Sequence, residues 1–253
     1  MQKVILVLLA MFLAVPSYGG RQFGTSATDK DAISDTGALD ITGCCLTISV
    51  WVYPNTVTAG AGKFGFKILA KNPDNSHRQY YLNIEDTGDF GSNSIAAGGG
   101  NGGSSWNGQA NCGSHLVTNT WQHILSEYST NTAVQDIYYN GVKCIIGGNG
   151  NSGVAISSNG NSSVQIGPWD SDGTPTVKIA ELAVWDIELS TLEKTALASG
   201  VPPVKVHAGP HLKFYKPYYG GFSPEPDMSG NRNNGTLTGT SAAPHCPCSQ
   251  PYH

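Results

Sequence analysis

The segment KIAELAVWDIELSTLEK concentrates the carboxylates that could perform acid–base chemistry. It contains Glu181, Asp186, Glu188 and Glu193, and Asp172 lies shortly before it. A retaining glycoside hydrolase needs two carboxyl groups about 5–5.5 Å apart, which on one strand means alternate positions. Glu181 and Asp186 are five residues apart and fall on opposite faces of a strand, unless a β-bulge intervenes. Asp186 and Glu188 share a face but lie at the predicted strand end, so the spacing disfavours catalysis.

The loop sequence PWDSDGTP offers a candidate metal site. Asp170 and Asp172 are two residues apart in a glycine-containing loop, and such carboxylates can share a hard cation such as Ca²⁺. Ca²⁺ prefers more oxygen ligands than these two residues supply, and Asp172-Gly173 is also an ordinary turn sequence. Ca²⁺ is therefore the one cofactor that the sequence suggests, with Asp170 and Asp172 as its ligands.

Two tryptophans in predicted loops are candidate ligand-binding residues. Trp106 lies in the glycine-rich segment 98–113, which we predict to be a long loop, and Trp169 directly precedes the two aspartates. Aromatic rings on loops can stack on sugar rings or fill a pocket of a partner protein. The alternative is that each ring folds back over the core.

Six cysteines are candidates for disulfide bonds, because an exported chain can oxidise. They are Cys44, Cys45, Cys112, Cys144, Cys246 and Cys248. Six cysteines allow about fifteen connectivities. We expect the pair at 44–45 to be linked to the pair at 246 and 248, and Cys112 to pair with Cys144. A zinc site is the alternative, but the adjacent pair and the one-residue gap do not match the usual spacing of zinc ligands.

The N-terminus resembles a secretory signal peptide. One lysine, Lys3, precedes an apolar run from Val4 to Val15, and Pro16 and small residues follow. The apolar run is too short to span a membrane comfortably, so we expect cleavage after Gly19 and no membrane insertion of the mature chain. An uncleaved anchor is the alternative. Residues 20–253 are predicted to form one secreted domain.

The composition narrows the class of protein and of partner. Only 13% of the residues are charged, against about 25% in average proteins, and the formal net charge is −4. No basic patch is present, so nucleic acid is not an expected partner. Glycine, serine, threonine and asparagine take the place of the charged residues, which is typical of an extracellular β protein with many turns.

Apolar residues alternate along several short segments, which predicts strands. In CLTISVWVYP the residues Leu46, Ile48, Val50 and Val52 fall on one face. The segments FKILAKN, RQYYLNIED, TWQHILSEYS, SSVQIGPW and TVKIAELAVW are predicted to be further strands. Asn140-Gly141 predicts a two-residue hairpin loop, since a type I′ turn needs positive φ at both positions. This register pairs Tyr139 with Val142 and points Cys144 inward.

One short helix is predicted near residues 190–199. Ser190 and Glu193 have the spacing of a capping box, in which each side chain bonds a free backbone amide of the other. Gly200 is a suitable stop, and Pro202-Pro203 prevents continuation. Many short strands with one helix predict an all-β, antiparallel jelly-roll β-sandwich.

Several segments together resemble the laminin-G-like branch of the concanavalin A-like jelly rolls. They are LTISVWVYP, ILAKN, NTWQHILSEY, IYYNGVKC and KIAELAVWDIELSTLEK, in this order between about residues 30 and 200. The last resembles the closing pattern of the family at Ile179, Trp185, Leu189, Ser190 and Glu193, although the usual glycine before the isoleucine is absent. His123 stands in a family-like Trp-x-His strand, and the resemblance implies a structural hydrogen bond for it.

A further family-like segment is displaced to the C-terminal end. FYKPYYGGFSPEPDMSGNRNNGTLTG resembles a segment that often opens such modules, and Asp227, Ser229 and Asn234 are among its matching residues. First and last strands of a sandwich often lie side by side, which makes permutation easy. We therefore predict that it forms the final strands of the same domain, and a truncated second module is the alternative.

The resemblance implies opposed functions, since the wider superfamily contains glycan-binding modules and glycosidases. Our leading hypothesis is a secreted, non-catalytic module that binds a glycan or an extracellular glycoprotein, with Ca²⁺ assistance. The second is a structural subunit of an extracellular or virion surface assembly, with self-association through terminal cysteines. The third is a glycoside hydrolase, which the broken alternation of the carboxylates disfavours.

Overall fold

The structure is a computed structural model of the chain. It describes residues 18–24, 26, 28–34, 37–56, 65–72, 76–85, 94–113, 115–144, 146–151, 153–160, 162–168, 175–219 and 222–248. In these ranges no helix is long and apolar enough to cross a membrane.

The described ranges form sixteen strands and two short helices, and this composition confirms the all-β prediction. The strands are β1 (Tyr18–Phe23), β2 (Lys30–Ile33), β3 (Cys45–Pro54), β4 (Phe66–Lys71), β5 (Tyr80–Glu85), β6 (Ser94–Gly100), β7 (Trp106–Cys112), β8 (Gln122–Ser129), β9 (Val134–Tyr139), β10 (Val142–Lys143), β11 (Ile146–Asn151), β12 (Val164–Pro168), β13 (Val177–Trp185), β14 (Leu212–Lys216), β15 (Gly235–Thr238) and β16 (Ser241–Pro244). The helices are α1 (Thr191–Ala198) and α2 (Pro203–Val206).

Two antiparallel sheets pack face to face. The first sheet has the order β10-β9-β8-β3-β13-β1-β16, and β14 pairs with the second half of β13. The second sheet has the order β11-β7-β6-β5-β4-β12-β2-β15. Each sheet combines runs of consecutive strands, β8–β10 and β4–β7, with neighbours from distant parts of the sequence, such as β3 beside β13 and β12 beside β2, as in a jelly roll.

The core lies between the sheets and follows the predicted alternation. Leu46, Ile48, Val50 and Val52 of β3 all belong to the main apolar cluster. Tyr80, Leu82 and Ile84 of β5 and Ile95 and Ala97 of β6 approach it from the second sheet. The intervening residues of each strand therefore lie on the outer faces.

The predicted hairpin at Asn140-Gly141 is confirmed. Asn140 has φ +49° and Gly141 has φ +80°, as a type I′ turn requires. Val142 pairs with Tyr139 in the ladder, and Cys144 is buried in the core cluster.

The glycine-rich segment 98–113 is not a long loop, so that prediction is wrong. Gly98, Gly99 and Gly100 end β6, and β7 begins at Trp106. A Cβ on Gly98 would lie 2.6 Å from the Tyr81 ring, and one on Gly99 would lie 2.6 Å from the Tyr128 ring. The glycines are needed because neighbouring rings pack directly against the strand backbone, and not for flexibility.

Helix α1 has the predicted capping box. Ser190 Oγ accepts from the Glu193 amide, and Glu193 accepts from the Ser190 amide at 2.7 Å. The prediction of a single helix is corrected by α2, whose first residue is Pro203. Proline suits this first position because its missing N–H has no partner within the helix.

The C-terminal segment completes both sheets, as predicted. β14 pairs with β13, β15 with β2, and β16 with β1. Asp227 fixes the turn between β14 and β15, since its carboxylate accepts hydrogen bonds from the amides of Tyr215, Ser229 and Asn233.

The disulfides correct the expected link between the two terminal cysteine pairs. Cys112 is bridged to Cys144, as predicted, but Cys44 is bridged to Cys45 and Cys246 to Cys248. Cys246 and Cys248 pack against Trp51. Trp51 lies six residues along β3 from Cys45, which is about 20 Å on an extended strand. A disulfide requires Cα atoms within about 7 Å, so the predicted cross-link is too long.

Candidate functional site

Glu181 lies at a bulge that interrupts β13. The register with β3 shifts between Ala180 and Ala183, and Glu181 has φ +53°. The bulge turns its side chain to the outer face of the first sheet, where Tyr215 Oη donates to Glu181 Oε2 at 2.6 Å. Burial raises the pKa of this carboxyl to about 7, against the opposing effect of the Tyr215 hydrogen bond.

The remaining carboxylates of the segment each bind different groups. Asp186 contacts His211 and Lys213, both at 2.8 Å. Glu188 accepts hydrogen bonds from Ser129 and from Asn131. Glu193 caps α1 and also lies 2.7 Å from His207 Nδ1. These contacts give all three side chains a structural role.

His123 makes the structural contact that the family resemblance implied. Its Nε2 lies 2.9 Å from Ser49 Oγ, and its ring packs 5.5 Å from the Trp51 ring. Burial lowers the pKa of His123 to about 3, so the imidazole is neutral near physiological pH.

The outer face of the first sheet, which we call the covered face, is overlaid by other parts of the chain. Its side chains include Trp51, Leu125, Glu127, Ala183 and Trp185. Helix α1 packs Leu197 into the cluster around Trp185, and Lys194 pairs with Glu127. The Cys246–Cys248 segment packs over Trp51. The covered face is therefore internal packing.

The outer face of the second sheet carries a different set, which we call the amide–aromatic face. Its members are Lys67, Tyr81, Asn83, Glu85, Trp106, Gln109 and Gln165, with Arg78 at the rim. They come from β4, β5, β7 and β12, so the sheet gathers residues nearly one hundred positions apart. Aromatic rings beside amides are the groups with which proteins bind polar ligands that have an apolar side.

The aromatic part of this face is held in a fixed geometry. The rings of Tyr81 and Trp106 are 4.6 Å apart at 61°, and Arg78 Cζ lies 5.2 Å from the Trp106 ring centre. Gln109 Nε2 donates to Tyr81 Oη at 2.8 Å. Tyr81 is buried, whereas Trp106 and Gln109 are partly exposed. A ligand could thus reach the tryptophan and the amide without unfolding the sheet.

The polar part of the amide–aromatic face lies beside the aromatic part, on β5, β4 and β12. Asn83 Nδ2 donates to Glu85 Oε1 at 3.3 Å, and both side chains are at least 96% buried. Among the described residues Asn83 Oδ1 has no hydrogen-bond donor. Lys67 Nζ donates to Gln165 Oε1 at 2.9 Å, and Gln165 is partly exposed. Because Asn83 is buried, the partly exposed amide of Gln165 is the polar group of this part that a ligand can reach.

The structure describes only one of the four predicted binding and metal residues. Trp106 is partly exposed on the amide–aromatic face, although it begins a strand and does not lie in a loop. Trp169, Asp170 and Asp172 lie outside the described residues, so the calcium site and the second tryptophan stay predictions.

The polar partners of Trp106 were not among the predicted site residues. Tyr81, Asn83 and Glu85 occupy alternate positions in RQYYLNIED, so their common face was visible in the sequence. Gln109 lies in the segment predicted to be a loop, where the prediction assigns it to no sheet face. Gln165 and Lys67 become neighbours only through the β4–β12 pairing.

Comparison with known proteins gives a family match over most of the chain. The model of a laminin-G-like family, described as the concanavalin A-like lectin/glucanases superfamily, matches residues 26–193. A comparison with curated protein sequences gives no match.

Solved structures share the fold at low sequence identity. A candidate carbohydrate-binding protein from Bacteroides ovatus superimposes with a TM-score of 0.65 and 17% identity, over 92% of this chain and 62% of that one. A heptameric SAP-like pentraxin from Limulus polyphemus superimposes with a TM-score of 0.51 and 18% identity, over 74% of this chain and 84% of that one. The binding domain of botulinum neurotoxin serotype G superimposes with a TM-score of 0.55 and 15% identity, over 71% of this chain and 42% of that one. The chain thus spans less than two thirds of the Bacteroides and toxin chains.

Proposed function

The chain belongs to the concanavalin A-like lectin/glucanase superfamily, and we propose that it is a secreted, non-catalytic module that binds a glycan or the glycan of a glycoprotein. The observation that carries this proposal is the Trp106–Tyr81–Gln109 row, with a partly exposed ring beside a partly exposed amide. A sugar ring has an apolar face for the indole and hydroxyls for the amides. The description of the Bacteroides protein makes sugars the first ligands to test.

The neighbouring polar groups include charges of both signs and neutral amides. Arg78 and Lys67 add positive charge, but Glu85 adds a negative charge beside Asn83. The partly exposed amides of Gln109 and Gln165 suit hydroxyl groups, which every sugar supplies.

A glycan array followed by calorimetric titration of the best glycan tests the proposal. We expect Trp106→Ala to weaken binding by at least about 2 kcal/mol, roughly 30-fold, because a stacked aromatic anchor is lost. Trp121→Ala is the matched control. Trp121 is also partly exposed, but it packs on Tyr53 at the covered face. A folded wild-type protein that binds no glycan, or equal losses in both variants, would exclude the site.

Calcium assistance is a separate part of the proposal and rests on Asp170 and Asp172 in the sequence. The array repeated in EDTA, and with Asp170→Ala and Asp172→Ala, separates the two parts. If EDTA leaves binding unchanged, calcium has no role, and the recognition proposal stands on its own.

A further inference from the structure

A lysine and an aspartate meet inside the sandwich, between its two sheets. Lys216 ends β14 in the first sheet, and Asp31 belongs to β2 in the second. Lys216 Nζ lies 2.6 Å from Asp31 Oδ2, and the side chains of both residues are 0% exposed. An ion pair buried this completely is unusual, because removal of two charges from water costs several kcal/mol for each ion.

Aromatic rings and a strand backbone pack tightly against one side of the pair. Phe214 lies 5.5 Å from Lys216 Nζ, and Phe23 packs edge-on against Tyr218 at 6.0 Å. Gly235 of β15 supplies this backbone. A Cβ at this position would lie 2.3 Å from Lys216 Nζ and 1.7 Å from Asp31 Oδ1. No residue larger than glycine therefore fits beside the ion pair.

Polar neighbours are directed at the same carboxyl group. Tyr218 Oη donates to Asp31 Oδ2 at 2.9 Å, which withdraws electron density from the carboxyl. Among the described residues Asp31 Oδ1 has no hydrogen-bond donor. Glu225 forms a β-bridge with Gly235 and is held at 3.0 Å by Arg21, so a second buried carboxylate lies beside the pair.

Burial favours the neutral forms of Lys216 and of the neighbouring Glu225. The pKa of Lys216 is lowered, first by burial, although the charge of Asp31 opposes the shift. The pKa of Glu225 is raised, also first by burial, so this carboxyl can take up a proton more easily than an exposed one. A neutral amine beside a protonated carboxyl is the reactive pair for amide formation.

We propose that Lys216 and Asp31 form an intramolecular isopeptide bond that covalently joins the two sheets. The distance from Nζ to Oδ2 places the amine within about 3.8 Å of the Asp31 carboxyl carbon, which is close to the separation of a reactive conformer. The two residues are 185 positions apart, so the bond would close most of the chain into one loop.

The reaction balances without an oxidant or another reactant. The ammonium first gives one proton to the Asp31 carboxylate, which leaves a neutral amine and a carboxylic acid. The amine nitrogen then attacks the carboxyl carbon, the C–N bond forms, and the C–OH bond breaks. The hydroxyl leaves with one amine proton as water. Asp31 Oδ2, the oxygen nearest Lys216 Nζ, is the one that takes the proton and leaves, and the hydrogen bond from Tyr218 Oη to Oδ2 assists its departure.

Mass spectrometry of the purified wild-type chain tests the bond. After denaturation, reduction and alkylation of the cysteines, a protease digest should contain the peptides around Asp31 and Lys216 joined, lighter than their sum by one water molecule. The Lys71–Asp40 ion pair is the internal control, because Asp40 is partly exposed and those peptides should stay separate. A folded wild-type protein whose Asp31 and Lys216 peptides are entirely separate would overturn the proposal.

Two variants test the assignment of the bond to Lys216 and Asp31. Lys216→Arg keeps the positive charge, but a guanidinium is a very poor nucleophile, so the joined peptide should disappear. Tyr218→Phe keeps the ring packing and removes the donor to Asp31, so the joined fraction should form more slowly in freshly refolded protein. A joined peptide that persists in Lys216→Arg would show that another residue forms the bond and would overturn the assignment.

Discussion

The two outer faces of the sandwich are built from similar side chains but differ in what lies over them. The covered face has Trp51 and Trp185, and α1 and the Cys246–Cys248 segment pack onto it. The amide–aromatic face has Tyr81 and Trp106, and its tryptophan remains partly exposed. Aromatic residues on the first face therefore contribute to folding, whereas Trp106 on the second face is available to a ligand. Mutations should separate the faces by their effects on stability and on binding.

The largest expected effect is on the covered face. Trp185 is 0% exposed, and its Nε1 donates to the His207 carbonyl at 2.9 Å. Trp185→Ala should lower the free energy of unfolding by about 3–5 kcal/mol, because it leaves a cavity and an unpaired carbonyl. Urea unfolding measures this change. Glycan affinity of the folded fraction should stay unchanged, and a stability loss under about 1 kcal/mol would contradict the internal role of this face.

Glu181 gives the covered face a pH-dependent stability. Its pKa rises from an ordinary value of 4.5 to about 7 through burial, so between these values the folded chain holds a proton that the unfolded chain has released. The stability contributed by protonated Glu181 is thus complete below about pH 4.5 and is lost as pH rises through about 7.

Glu181→Gln should remove this dependence, because glutamine keeps the shape and can still accept from Tyr215. The variant should gain up to about 3 kcal/mol relative to wild type at about pH 8, and should be close to wild type near pH 5. Urea unfolding at several pH values measures the difference. Parallel pH profiles for the two proteins would show that Glu181 does not titrate in this range.

The capping box of α1 is expected to stabilise the helix that packs on the covered face. Ser190→Ala removes the acceptor for the Glu193 amide and should lower the free energy of unfolding by about 1 kcal/mol. Ser199→Ala is the matched control, since Ser199 Oγ only bonds a carbonyl within the helix. Equal thermal shifts in the two variants would show that the capping box adds no stability.

Local sequence patterns predicted those features that depend on a few consecutive residues. Asn140-Gly141 defines its own turn, and Ser190 and Glu193 form their hydrogen bonds within one helical turn. The long-range features were not predictable in this way. The glycines at 98–100 pack against Tyr81, Tyr128 and Arg78, and nothing in the local sequence names these partners.

The candidate site and the bulge at Glu181 could not be predicted fully from local patterns either. The alternation in β5 indicates the common face of Tyr81 and Asn83, but only the β6–β7 pairing brings Gln109 onto Tyr81. The bulge at Glu181 is likewise invisible in the sequence, because it depends on the register between β13 and β3.

The smallest stability effect is expected on the amide–aromatic face. A variant there should change binding much more than stability, which is the opposite of what we expect on the covered face. Gln109→Ala removes one hydrogen bond to Tyr81 Oη, and because Gln109 is partly exposed, water can replace this bond. The free energy of unfolding should fall by less than about 1 kcal/mol. Affinity for the best glycan should nevertheless fall by roughly 10-fold, since the amide would contact the sugar beside Trp106.

Gln135→Ala is the matched control for Gln109→Ala. Gln135 is 3% exposed and donates to Ser126 Oγ at 3.1 Å on the first sheet, so its loss should lower stability more than the loss of Gln109. Glycan affinity should not change in this variant. The reverse pattern, with weaker binding in Gln135→Ala and normal binding in Gln109→Ala, would move the ligand site away from the amide–aromatic face.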